Sequence, residues 1–174
     1  MKTQTQDSPA TKIDAEVMAL ARESFRCARA GEVDRLAWLL EVGVPVNVCN
    51  ERGDSLLMLT SYLGHVEATR LLLAHRADPE RTNDRGQTPL AGVAFKGDVA
   101  TAQLLLDHGA QVDGAGPDGK TALMFAAMFD RLEVLELLLA RGAAPGRQDE
   151  GGRTALDYAR AMGAQRTQAR LANL

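Results

Sequence analysis

Aromatic side chains make up only 4% of this 174-residue chain, although 45% of it is hydrophobic. A core with so few large rings must be built from Leu, Val and Ala, which suits thin layers of closely spaced helices. Cysteine is almost absent. Cys27 and Cys49, 22 residues apart, read as reduced thiols of a cytoplasmic protein rather than as a disulfide. There is no excess of base either: the formal charge is −3, and 20 Lys and Arg are scattered among 23 Asp and Glu. The electrostatic footprint of a nucleic-acid binder is therefore missing. No apolar run precedes Ile13, so the sequence predicts neither a secretory signal nor a membrane span, and a cytoplasmic chain.

What the chain does have is repetition. Gly31, Gly64, Gly97 and Gly163 fall on one step of 33 residues, with Asp130 at the remaining mark. The pairs Leu39/Leu40, Leu72/Leu73, Leu105/Leu106 and Leu138/Leu139 keep the same step. So do Gly53, Gly86, Gly119 and Gly152, each followed two residues later by Ser55, Thr88, Thr121 or Thr154. Three landmarks sharing one period define an internal repeat, and no linker composition divides it.

Residues 87–119 show the physics of one unit. Thr88 caps a helix start and Pro89 fits its first turn, where a missing N–H costs nothing. Leu90, Val93 and Ala94 form a short apolar face, and Gly97 ends the helix. Asp98 caps a second helix in which Val99, Ala102, Leu105 and Leu106 recur at helical spacing up to Gly109. A unit this small cannot bury its own apolar face, so neighbours must cover it and the stack folds as one quasi-linear body.

The order Gly-x-Thr-x-Leu, an Ala-rich helix, Gly, then a helix ending Leu-Leu resembles the ankyrin repeat, most clearly in Gly86-Gln87-Thr88-Pro89-Leu90. The resemblance implies an all-α solenoid of helix-turn-helix units joined by β-turn fingers. It places three full repeats at residues 54–86, 87–119 and 120–152, with capping units at 15–53 and 153–174. The last helix, Gln165 to Leu171, is polar where earlier ones are apolar, as solubility requires of a terminal unit. Residues 1–14 lie outside the register and are expected to be disordered, with Asp14 capping a helix through Val17, Leu20, Phe25 and Ala28.

Departures from the family pattern carry their own expectations. Met58, Ala91, Met124 and Asp157 stand where the family places His, so capping must rest on Ser55 and the threonines. Arg76 and Asp130 occupy helix-ending positions that other units give to Gly, which predicts a left-handed backbone at both. Gly92 lies inside a helix at a cost of about 1 kcal/mol against Ala, and Phe125 of the next unit is expected to pack over it.

Signals for chemistry are absent. No nucleophile elbow, phosphate loop, HExxH or paired-cysteine motif occurs, and the glycine-rich stretch 114–119 falls at a finger without the Lys-Ser/Thr of a phosphate cradle. His75 and His108 are equivalent in adjacent units. Stacked helices lie about 8–10 Å apart and zinc ligands must each reach within about 2 Å of the ion, so they read as surface residues. Neither metal nor cofactor is expected, nor catalysis.

Recognition is better represented. In the resembled family the concave surface is lined by finger tips and by the outward residues just before the Gly that ends each first helix. Here those helix positions include Tyr62, Leu63, Phe95, Lys96, Met128 and Phe129, with the alternative that some of these rings fold down between helices. The tips add Glu51, Arg52, Asp54, Asp84, Arg85, Gln87, Asp118 and Lys120, whose mixed charge would orient a partner. The resemblance thus implies a monomeric, bacterial-type module that binds another protein as adaptor or inhibitor, with no nucleic acid or membrane involved. Alternatives are an immunity-type or accessory protein for a bacterial toxin or enzyme and, from another class, an enzyme with an unrecognised site.

Overall fold

The structure is a computed structural model that describes the backbone of residues 9–174 and the side chains from residue 16 onward. Among the described residues there are ten helices, no strand, and two isolated bridges, Cys49 to Ser55 and Ala115 to Thr121, at the bases of fingers. The helices pair in sequence. α1 (Pro9–Ala30) pairs with α2 (Val33–Glu41), α3 (Leu56–Tyr62) with α4 (Val66–Ala74), and α5 (Pro89–Lys96) with α6 (Val99–Asp107). Likewise α7 (Ala122–Met128) pairs with α8 (Leu132–Ala140), and α9 (Ala155–Met162) with α10 (Gln165–Ala172). First helices stack on first helices and second on second, giving an all-α solenoid two helices thick.

The 33-residue step is the spacing of the core. Leu39, Leu72, Leu105 and Leu138 are each fully buried in successive second helices. Cys27, Thr60, Val93, Ala126 and Ala159 form the equivalent row in the first helices, all fully buried. Small residues in that row let the first helices approach closely, and each buried Leu contributes about 1.5–3 kcal/mol. The cysteine at the head of the row is thus a packing residue, and burial pushes its thiol pKa up.

Helix starts rest on the hydroxyls, as the sequence predicts. Ser55, Thr88, Thr121 and Thr154 accept from the N–H three residues on, at 3.1, 3.2, 3.4 and 3.3 Å. In the last unit Asp157 completes a capping box by accepting the Thr154 N–H at 2.9 Å. Arg76 and Asp130 do adopt left-handed backbone, with φ 63° and 55°. The terminal helix α10 buries only Thr167 and Leu171 and is tied to α8 by the ion pairs Arg166–Glu133 and Arg170–Glu136.

Two expectations need correction. α1 begins at Pro9, not at Asp14, so residues 9–14 are helical and Asp14 is interior; the expected disorder of residues 1–8 lies outside the described residues. Pro9 suits a first helical position, and Ala10, Lys12 and Ala15 are strong helix formers. Gly92 is covered from the other side: a Cβ there would meet Tyr62 at 3.5 Å and Met58 at 3.7 Å, both of the preceding unit, rather than Phe125.

Candidate protein-binding groove

Three of the four fingers are short turns locked from within by one side chain. Asn50 Oδ1 accepts the N–H groups of Arg52 and Asp54 at 2.8 and 3.0 Å, and Asn83 does the same for Arg85 and Gln87, both at 3.1 Å. Asp149 repeats the lock with Gly151 and Arg153, both at 2.9 Å. These acceptors are separated by multiples of 33 residues, and side chains of this type favour such turns. Successive fingers are also joined: the Asp84 N–H donates to the Arg52 carbonyl at 3.1 Å, and the Glu150 N–H to the Asp118 carbonyl at 3.0 Å.

The middle junction breaks both rules. By the repeat step the lock position is Gly116, which has no side chain, and the donor position is Pro117, which has no N–H for Arg85. Asp118 supplies a local substitute. It accepts the Lys120 N–H at 3.1 Å and pairs with the Lys120 ammonium at 2.7 Å, a hydrogen bond that raises the pKa of Lys120.

Along the first helices an aromatic ladder spans three units. Tyr62 and Phe95 stack with centroids 6.2 Å apart and planes 19° from parallel. Phe129 meets Phe95 edge-on at 4.4 Å, and Lys96 Nζ stands 5.3 Å from the centre of the Tyr62 ring. Tyr62 and Leu63 are 38% and 45% exposed, and Phe95, Met128 and Phe129 are half-buried, so each ring packs on its neighbour and keeps a face in solvent.

Seven of the expected binding residues line one depression of about 390 Å³ between the helices and the fingers: Arg52, Asp54, Tyr62, Leu63, Arg85, Gln87 and Phe95. Glu51 lines an adjoining one of about 620 Å³. Lys96, Met128 and Phe129 extend the helix side, whereas Asp84 is exposed at a finger tip and Asp118 and Lys120 are engaged with each other. Asp54 is engaged too, accepting from the amides of Asn50 at 3.3 Å and Asn83 at 2.9 Å.

The larger depression involves the face of α1 carrying Met18, Arg22, Phe25 and Arg29, of which the repeat register singles out only Arg29, the equivalent of Tyr62 one unit earlier. These residues recur at spacings of three and four, the available signal of a shared helix face. At the far end, Tyr158 donates to Asp149 at 2.5 Å, which holds the Asp149 carboxyl below the usual carboxylate range. The histidines have structural roles or none: His65 Nε2 lies 2.9 Å from the Arg29 carbonyl at the end of α1, His108 Nδ1 lies 2.9 Å from the Leu104 carbonyl, and His75 is exposed. Among the described residues no three His, Cys, Asp or Glu side chains converge as metal ligands would.

A family model described as ankyrin repeats (3 copies) matches residues 24–115, more than half of the chain. The chain belongs to the ankyrin repeat family. A second model, ankyrin repeats (many copies), matches residues 105–159. The chain is also similar to an ankyrin repeat protein of Pseudomonas aeruginosa, with 53% identity over 65 residues that make up 37% of this chain and 38% of the relative. The match therefore spans well under half of the relative's length. Ankyrin repeats are in general protein-protein interaction modules without catalysis of their own. Among the described residues no helix is long and apolar enough to cross a membrane.

Proposed function

We propose that this ankyrin repeat chain holds one partner protein on its concave face and acts through that contact alone, as an adaptor or inhibitor. It works as a cytoplasmic monomer and performs no catalysis. The observation that carries the reading is the half-exposed ladder of Tyr62, Phe95 and Phe129, which runs across three units at the edge of a finger-walled depression. Aromatic side chains present large rigid contact area with few rotors to immobilise, and an exposed apolar strip of this kind is characteristic of interfaces. The fingers lend polar groups at a fixed spacing, which suits a folded protein surface better than a small metabolite.

The test is capture from the native cytoplasm, with identification of the retained protein and measurement of its affinity for variants. Phe95→Ala combined with Phe129→Ala should abolish retention, and Val99→Ser on the exposed face of α6 should leave it intact. Retention equal in both variants would remove the concave face from the interface.

A further inference from the structure

The half of the groove nearest α1 has a charge pattern opposite to that of the whole chain. Arg22 and Arg29 of α1, Arg52 of the first finger and Arg85 of the second line the two adjoining depressions, which share Arg29 and Arg52. All four are exposed, and none forms an ion pair or a side-chain hydrogen bond among the described residues. Other arginines differ in this respect: Arg26 and Arg35 pair with Glu32 and Glu23, and Arg141 pairs with Asp107 at 2.7 Å, whereas Arg76, Arg147 and Arg160 also stand without an ion pair among the described residues but singly, away from these depressions.

None of the acids near the four arginines forms an ion pair with them among the described residues. Asp54 spends its carboxylate on the Asn50 and Asn83 amides, and Glu51 and Asp84 stand exposed at the finger tips. The floor between the arginines is apolar, formed by Met18, Phe25, Leu59 and Tyr62. Four unpaired guanidinium groups around an apolar floor, in a chain of net charge −3, form a local site for carboxylates joined to apolar side chains.

We propose that this half of the groove takes a segment of the partner protein in which Asp and Glu are interspersed with large apolar residues. The proposal rests on the concave-face reading and names the chemistry of what the face accepts. Arginine forks hold carboxylates in pairs of parallel hydrogen bonds, and the apolar residues of the segment cover Phe25 and Leu59. A nucleic-acid strand fits less well, because a phosphate backbone needs an unbroken basic track and here Glu51 and Asp84 interrupt it.

The test selects a phage-displayed random dodecapeptide library on the full chain at low salt and titrates synthetic copies of the enriched peptides. The consensus should combine Asp or Glu with Leu, Phe or Trp. Arg29→Glu with Arg52→Glu, and separately Arg22→Glu with Arg85→Glu, should each weaken binding about ten-fold or more and flatten its salt dependence, while Arg147→Glu in the last finger changes little. All five are exposed, and circular dichroism should confirm that every variant is folded. A neutral or basic consensus, no enrichment above the phage background, or affinities unmoved by the arginine pairs would overturn the proposal. So would an oligothymidylate that displaces the peptides through the same arginines, since that outcome reads as a general polyanion site. If the captured partner is lost from the Phe95/Phe129 variant but not from the arginine variants, the concave-face reading stands and this proposal falls. If it is lost from neither, the concave face itself is excluded.

Discussion

Gly116 lies directly against the backbone of Gly86, so close that a Cβ on Gly116 would overlap the Gly86 carbonyl. Two fingers thus meet backbone to backbone at the junction where Gly116 and Pro117 have removed both the side-chain lock and the inter-finger hydrogen bond. Gly116→Ala should force these fingers apart and destabilise the chain by about 1–3 kcal/mol, read as a lower urea midpoint. An unchanged midpoint would mean that the junction opens without cost.

Arg76 and Asp130 share a left-handed backbone but not its consequence. Arg76 is exposed and forms no ion pair among the described residues, so Arg76→Gly should relieve strain and, after the added unfolded-state entropy of Gly, stabilise by about 0.5–1 kcal/mol. Asp130 Oδ1 accepts the Thr167 N–H at 2.9 Å and lies 3.2 Å from the Thr167 hydroxyl, anchoring α10. Asp130→Gly should therefore gain nothing or lose stability. Equal gains in the two variants would show that the Asp130 bonds contribute nothing.

Gly92→Ala places a methyl group at ordinary contact distance from Tyr62 and Met58. With no clash to offset the gain in helix propensity, the variant should be more stable by about 0.5–1 kcal/mol. A loss would indicate that Tyr62 has no freedom to accommodate the added methyl.

Glu80 packs beneath Gly114 and accepts the Gln111 N–H at 2.9 Å; burial raises its pKa above the ordinary carboxylate value. A raised folded pKa means that the group's contribution is fully present below the unfolded pKa and is lost as pH rises through the folded one. Glu80→Gln keeps an acceptor without the charge. Its melting temperature should exceed that of the parent at about pH 7, and the gap should close near about pH 4. A gap independent of pH would refute the assignment.

The period made the stack, the hydroxyl caps and the two left-handed positions legible, because each is fixed by place within a unit. What lay between units was harder to read. Nothing in a 33-residue step says whether Tyr62 or Phe125 leans over Gly92, since both belong to adjacent layers. The Asn50, Asn83 and Asp149 locks do follow the step, and the gap at Gly116 and Pro117 is visible once the ladder is known. The arginine-rich half of the groove combines one face of α1 with two fingers, residues far apart in sequence whose charge looked scattered until the fold brought them together.

The most direct measurement is amide hydrogen exchange of the chain free and bound to its captured partner. Binding on the concave face predicts new protection in the fingers around residues 50–54 and 83–87 and at the carboxyl ends of α3, α5 and α7, with α4, α6 and α8 unchanged. Protection confined to α4, α6 and α8 would contradict it.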